Sequence, residues 1–381
     1  MNNDKKSLYR IRVEISPDFN YYFDKITSIF IKSKKNKIKN PKKILFLRND
    51  HIGDMVYSTQ IFREVKKAFP DVEIGVVATA SNRQIIEKDP YVDKIFEIDL
   101  FWRRGLKGFL DYLKVLKKIK REKFDTGVDL RRSKLNVLFF MWIPKIKNRI
   151  GFYNINGGKA FLTHPVLYKN KKNYIYDNLD MINEAFGLNI SEKDSLPHII
   201  TDKQDEKEVR ELMNKNNLKK YVVFAPGATA DSKRWPEEKF GELIGKFHKK
   251  YPNHKIILSG ADSDKNLIER LCKDKNFCVP LINFNLRKMA IVFKNAGVVV
   301  ANDGCAIDIS WVSDGNLVAL VGPVDLELFR FLGKTKIIHH KVNCYPCFWA
   351  EPCPKSKKEW CMNLITVNEV MNAINEFMKK K

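Results

Sequence analysis

Lys43-Ile-Leu-Phe-Leu-Arg-Asn-Asp-His-Ile-Gly-Asp54 opens on an apolar run and closes on a glycine and an acid, where helical spacing begins. So short and continuous a run suits a strand buried on both faces, the habit of parallel sheets. Helical spacing then continues over Asp54–Phe69 and stops at Pro70. Strand, glycine-bearing loop and helix form one unit, and the unit recurs. Glu73–Thr79 and Lys94–Ile98 read as strands, Leu106–Arg121 as a basic amphipathic helix and Phe124–Leu130 as a strand. After a polar stretch at Ser191–Gln204 the grammar restarts. Strands are expected at Tyr221–Ala225, Lys255–Ser259, Val298–Ala301 and Leu317–Val321. Helices are expected at Glu237–Lys249, Asp262–Cys272, Leu286–Asn295 and Ala306–Ser313. Alternation of this length predicts an α/β chain of two Rossmann-like halves with parallel sheets.

The expected division is a basic extension over 1–41, a first Rossmann-like domain over 42–200, a second over 201–365 and a C-terminal helix over 366–381. The extension ends in Ile31–Lys43, with seven lysines and no acid, and reads as a solvated linker. The whole chain of 381 residues carries 69 Lys+Arg against 45 Asp+Glu, a net charge of +24, which points to polyanionic partners. Nucleic acid is not expected among them, because no helix-turn-helix, zinc-finger or aromatic RNA-binding motif is present and the lysines are scattered. No apolar stretch reaches the roughly 18–20 residues of a membrane span. The start, Met-Asn-Asn-Asp-Lys-Lys, lacks the order of a secretory signal, so a cytoplasmic location is expected.

In open parallel sheets ligands bind beyond the carboxyl ends of the strands, so three loops stand out. In the first, Gly53 permits close backbone approach and Asp54 is either a helix cap or a general base; spacing alone favours the cap. The second, Pro226-Gly-Ala-Thr-Ala-Asp-Ser-Lys-Arg-Trp-Pro236, offers hydroxyls at Thr229 and Ser232 and cations at Lys233 and Arg234 to a phosphate, without being a P-loop. The third, Val300-Ala-Asn-Asp-Gly-Cys-Ala306, presents backbone N–H groups at Gly304 and Cys305, and Asp303 as an acceptor for a ribose or sugar hydroxyl.

These stretches together resemble glycosyltransferase family 9, the ADP-heptose:lipopolysaccharide heptosyltransferases. The motifs are Arg48…Ile52-Gly53-Asp54, Ala225-Pro-Gly-Ala…Lys233-Arg-Trp-Pro236, Asn302-Asp303-Gly304 and Val321-Gly-Pro323, and the resemblance spans about Lys42 to Met371. It implies a GT-B fold, inversion at the anomeric carbon and chemistry with no metal cofactor. By similarity Asp54 becomes the base, which overrides the cap reading. Lys233 matches the lysine that neutralises the donor diphosphate, Thr229 a phosphate-binding hydroxyl, and Asp303 the acid near the nucleoside and heptose. The implied donor is ADP-heptose and the implied acceptor the phosphorylated lipid A core. One departure concerns the third motif, where Asp308 stands at the position of a family histidine.

Arg131, Arg132 and Lys134 follow the fourth strand, where the family faces its acceptor; contact with acceptor phosphates and a plain solvated loop remain equal readings. The Leu106–Arg121 helix reads either as a surface helix or as a peripheral contact with the anionic inner membrane. Cys344, Cys347, Cys353 and Cys361, within a Cys-rich segment 344–361, suit a structural zinc or iron site; packed reduced thiols are the competing reading, and a disulfide the third. Competing functions are a transferase of the same fold with another nucleotide sugar or a protein acceptor and, more remotely, a non-catalytic nucleotide-sugar or nucleic-acid binding protein.

Overall fold

The computed structural model describes residues 36–98, 105–153, 159–169, 174–326, 333–347, 353 and 360–379. The first half runs β1 (Lys43–Leu47), α1 (Ile52–Ala68), β2 (Glu73–Ala78), β3 (Lys94–Glu97), α2 (Gly105–Glu122), β4 (Thr126–Asp129), β5 (Asn148–Phe152), β6 (His164–Val166) and α3 (Tyr174–Phe186). The second runs α4 (Lys203–Lys215), β7 (Tyr221–Ala225), α5 (Glu237–Lys250), β8 (Lys255–Gly260), α6 (Lys265–Cys272), β9 (Cys278–Ile282), α7 (Leu286–Asn295), β10 (Val299–Asn302), α8 (Cys305–Val312), β11 (Leu317–Val321), β12 (Thr335–His339) and α9 (Val367–Met378).

Each half builds one six-stranded, fully parallel sheet. The orders are β3-β2-β1-β4-β5-β6 and β12-β11-β10-β7-β8-β9. Counted from its own first strand, each sheet has the order 3-2-1-4-5-6. The chain therefore reverses direction across the sheet between β1 and β4 and again between β7 and β10. Those two switch points open crevices at the carboxyl ends of the strands. Strand identity follows from the runs themselves: Ile44, Leu45, Phe46 and Leu47 are wholly buried, as a central parallel strand covered on both faces requires.

Three apolar clusters fill the layers. One lies between the first sheet and α2 and includes Leu45, Phe96, Ile119 and Phe140. A second lies between the other sheet and α5 and α9, around Trp235, Phe240 and Ile374. The third runs continuously through both halves, from Val56 and Ile61 of α1 to Ile307 and Ile309 of α8. The halves are thus joined by packing, and α9 belongs to the second core.

Residues 1–35 of the expected basic extension lie outside the described residues. Its end is not the solvated linker expected. Ile38 is buried and its N–H donates to the Ala185 carbonyl at 3.0 Å, while Lys37 Nζ donates to the Glu184 carbonyl at 2.7 Å.

Candidate active site

All three expected loops lie at the two switch points. The loop after β1 sits beside the loop after β4, and the loop after β7 beside that after β10. Polar side chains lock each pair. Asn136 Nδ2 donates to Asn49 Oδ1 at 2.7 Å, joining the first two. Asn302 Nδ2 donates to the Pro226 carbonyl at 2.7 Å and its Oδ1 accepts from the Trp235 N–H at 3.2 Å, joining the others.

Asp54 is in the first turn of α1, where the helix dipole favours a carboxylate. It is not the cap: His51 holds that position and supplies no capping side-chain bond. The half-buried Asp54 carboxylate makes no hydrogen bond or ion pair among the described residues, which leaves its lone pairs open to an incoming hydroxyl. Beneath it Arg48, wholly buried, pairs with Asp50 at 3.0 Å. Burial raises the Asp50 carboxyl to about 6, against the pull of Arg48. Asn82 Nδ2 donates to the Arg48 carbonyl at 2.8 Å and clamps the loop from β2.

Across the crevice, Lys233 is nearly buried and pairs with Asp303 at 2.9 Å. The two residues assigned separately to diphosphate and sugar therefore form an ion pair with each other. Arg234 is not available to a phosphate in the way its neighbour is, because its guanidinium donates twice to the Ala228 carbonyl, at 3.0 and 2.7 Å, and braces the loop. Thr229 is exposed at the loop tip. Ser232 is buried and lines a cavity with the cysteines. Gly304 caps α8 in extended conformation, and Cys305 opens the helix with a thiol that burial pushes up to about 12.

Asp308 joins the halves. It is buried, accepts a short hydrogen bond from the Tyr57 hydroxyl of α1, and lies against Gly53, where an added Cβ would stand 2.3 Å from its Oδ2. A side chain at 53 would force the Asp308 carboxylate to move. Desolvation raises the Asp308 carboxyl to about 7, with Asp303 and Asp54 adding to the rise and Lys233 opposing it. Burial and the neighbouring Asp308 likewise push the Tyr57 phenol well above its ordinary range.

Because Asp308 keeps its proton up to about 7 against an ordinary 3.8, the folded chain binds more protons than the unfolded chain between these values. Stability then falls as pH rises through that window. Asp308→Asn, which still accepts from Tyr57, removes the term. Melting temperatures of variant and wild type, compared at about pH 5 and about pH 8, are expected to shift in the variant's favour at the higher pH by the equivalent of at least about 1.4 kcal/mol. A difference that does not change with pH would show that Asp308 is ionised throughout.

In the loop after β4, buried Asp129 accepts from the Arg131 and Ser133 N–H groups at 3.1 and 2.7 Å, and desolvation raises it to about 6. Arg131 lies within electrostatic reach of Asp50, and its guanidinium makes no hydrogen bond or ion pair among the described residues. Arg132 is engaged internally. At φ 62° it lays its guanidinium 4.3 Å from the Tyr168 ring centroid and 3.6 Å from Asp177. Lys134 is half-buried at the end of the loop.

The four cysteines of the tail face one small cavity together with Ser232, Gly322 and Pro323. Burial raises Cys361 to about 11, helped by the other three thiols. Their soft donor set suits zinc or iron, but among the described residues no three metal-ligating side chains stand at coordination spacing.

Residues 112–358 match the family model of glycosyltransferase family 9 (heptosyltransferase). The chain belongs to glycosyltransferase family 9. As a family 9 protein it is a glycosyltransferase, and the two facing Rossmann-like domains are its GT-B fold. It is 25% identical over 297 residues to lipooligosaccharide heptosyltransferase 2 of Haemophilus influenzae, covering 74% of this chain and 83% of that one. Its fold is similar to that of a family 9 glycosyl transferase from Veillonella parvula, at TM-score 0.76 and 17% identity over 91% of this chain and 100% of the other. It is also similar to E. coli ADP-heptose lps heptosyltransferase II, at TM-score 0.71 and 19% identity over 89% and 99%.

Tyr57 and Asp50 escape sequence reasoning, and so do the contacts that Asp308 and Arg48 make with them. Tyr57 and Asp308 are 251 positions apart, and no local pattern announces their bond. Arg48 and Asp50 carried a visible signal, opposite charges two residues apart beside a buried strand.

Proposed function

We propose that this glycosyltransferase moves a heptose from ADP-heptose to the inner core of lipopolysaccharide, with inversion and with no metal ion in the chemical step. The observation that carries the reading is the placement of Asp308, within electrostatic reach of Asp54 from one half and of Asp303 and Lys233 from the other. A base and a diphosphate-neutralising cation thus share one crevice. The sugar and the acceptor are read from the relatives, a lipooligosaccharide heptosyltransferase and an ADP-heptose lps heptosyltransferase.

In this reading Asp54 takes the proton of the acceptor hydroxyl as its oxygen attacks the anomeric carbon. The bond from that carbon to the diphosphate breaks on the opposite face, and ADP leaves with the electron pair. Charge growing on the diphosphate is met by Lys233, by Thr229 and by the N–H groups of Gly304 and Cys305 at the start of α8, fixed donors that need no reorganisation. Asp303 accepts from a hydroxyl of the nucleoside or heptose once Lys233 turns to the phosphates. Arg131 and Lys134 face acceptor phosphates; Arg132 shapes their loop from behind. A four-thiolate zinc or iron site at Cys344, Cys347, Cys353 and Cys361 is the structural part of the proposal. It requires the thiols to draw together, no catalytic step passes through it, and elemental analysis of the purified chain checks it.

Calorimetric titration with ADP and UDP in EDTA tests the donor. ADP is expected to bind better, and both Lys233→Ala and Asp303→Ala to weaken it by roughly tenfold or more, the worth of a charge-assisted contact. Preference for UDP would replace the heptose donor with another nucleotide sugar. No binding of either nucleotide would remove the reading.

A further inference from the structure

Two groups of polar contacts cross between the halves. In one, the Leu286 N–H donates to Gln84 Oε1 at 3.0 Å, Arg287 pairs with Glu87, and Lys88 pairs with Asp202 at 2.9 Å. The other is the bond from the Tyr57 hydroxyl to Asp308. It joins two helices whose first turns hold site residues. Tyr57 is three positions after Asp54 on α1, and Asp308 three positions after Cys305 on α8. Side chains three apart share one face of a helix, so the bond leaves each helix just behind the groups that line the crevice.

Packing around the bond holds both ends in place. Tyr57 and Asp308 are buried, the Trp311 ring of α8 stands 6.1 Å from the Tyr57 ring, and Asp308 lies against Gly53, the residue before Asp54. A phenol and a carboxyl that meet out of water stay together, because parting them strands two polar groups. The apolar cluster that runs through both halves supplies adhesion, which is non-directional; the bond adds a fixed point to it.

We propose that Tyr57 and Asp308 are positioning residues of the reaction, whose bond sets the Asp54 carboxylate at working distance from a donor seated on the N–H groups of Gly304 and Cys305. This rests on the base and donor assignments made above. Neither side chain is asked to touch donor or acceptor. Each acts through the helix that carries it, α1 for the base and α8 for the diphosphate. Misplacing reacting groups by about 1 Å costs about a hundredfold in rate. Cutting the bond therefore weighs on turnover, while donor binding, made within the second half, is spared. The contacts of Gln84, Glu87 and Lys88 with the second half persist in that case, so the halves stay joined and lose alignment alone.

Three measurements on the full chain test this: steady-state release of ADP from ADP-heptose with a lipid A core acceptor, an ADP titration, and hydrogen–deuterium exchange. Tyr57→Phe keeps the ring beside Trp311 and removes the hydroxyl. It is expected to lower kcat roughly ten- to a hundredfold, to leave ADP affinity within about threefold, and to raise exchange at the starts of α1 and α8 but not of α7. Asp308→Leu is expected to lose as much, and the two substitutions together no more than either alone. Asp308→Asn, which still accepts from the hydroxyl, is expected to recover most of what Asp308→Leu loses. Full kcat in Tyr57→Phe, even with a lowered melting temperature, would overturn the proposal. So would losses that multiply in the double variant, or an Asp308→Asn no better than Asp308→Leu, a contrast that still decides if Tyr57→Phe does not fold. A wild type that neither binds ADP nor releases it would sink the transferase reading instead. Exchange needs no substrate, so unchanged exchange at the two helix starts overturns the tie whatever the reaction is.

Discussion

Asp54→Asn is expected to bind ADP as the wild type does and to turn over roughly a hundred to ten thousand times more slowly, the worth of a positioned general base. The substitution keeps the size of the side chain and removes the proton acceptor. Since Asp54 has no hydrogen-bond or ion-pair partner among the described residues, little folded structure depends on its charge. The helix loses a first-turn carboxylate, costing about 0.5 kcal/mol at most surface sites. Steady-state release of ADP with a lipid acceptor, set beside a thermal melt and an ADP titration, separates these effects. Turnover within a few-fold of wild type would hand the base role to another group. Asp308 is one candidate, though it is engaged with Tyr57 and lies against Gly53.

Arg287→Ala is expected to be the most damaging substitution for stability, by roughly 3–5 kcal/mol, because it strands a buried carboxylate. Arg287 and Asp205 are both buried, and the guanidinium donates to the two Asp205 oxygens at 2.9 and 2.8 Å. Its remaining nitrogen reaches Glu87 of the first half by a short bond. Asp205 is at the same time the third residue of a capping box that starts α4. The Arg287 guanidinium holds the Asp205 carboxyl below the usual carboxylate range. A depressed acid stabilises the fold above its unfolded value and loses that contribution as pH falls through the folded one, so the variant's deficit is expected at neutral pH and to shrink in acid. Glu87→Gln serves as the control. Its side chain is 26% exposed, and a loss under about 1 kcal/mol is expected. Urea midpoints at neutral pH check both, and equal losses in the two variants would show that the buried pair with Asp205 is not the source.

The central strands were legible because a parallel strand covered on both faces is a continuous apolar run, as Ile44–Leu47 and YVVFA are. The strands that escaped notice are mostly at sheet edges. HPV of β6, CVPLI of β9 and TKIIH of β12 carry prolines or polar residues that an edge tolerates and a centre does not. Asn148–Phe152 hid for a related reason, its arginine being turned to internal carbonyls at 2.6 Å. Asp54, Lys233 and Asp303 stood out as candidates because each follows a strand in a glycine-bearing loop, and their roles were read from the family resemblance. The contacts that align them did not stand out. Asn302 reaching Pro226, Asn136 reaching Asn49 and Arg287 reaching Asp205 join positions more than seventy residues apart, and only the folded chain specifies them.

In the function proposed above, the Lys233–Asp303 pair gives the donor site a logic of its own. A cation paired with a carboxylate at 2.9 Å is pulled less strongly to a passing phosphate, because leaving would strand the carboxylate. A molecule that brings a diphosphate for the lysine and a hydroxyl for the aspartate relieves both at once. The pair then works as a coincidence detector. Under the proposed donor assignment orthophosphate and a bare sugar each present half the signal, and both are expected to bind more weakly than a ligand that carries the two parts on one frame.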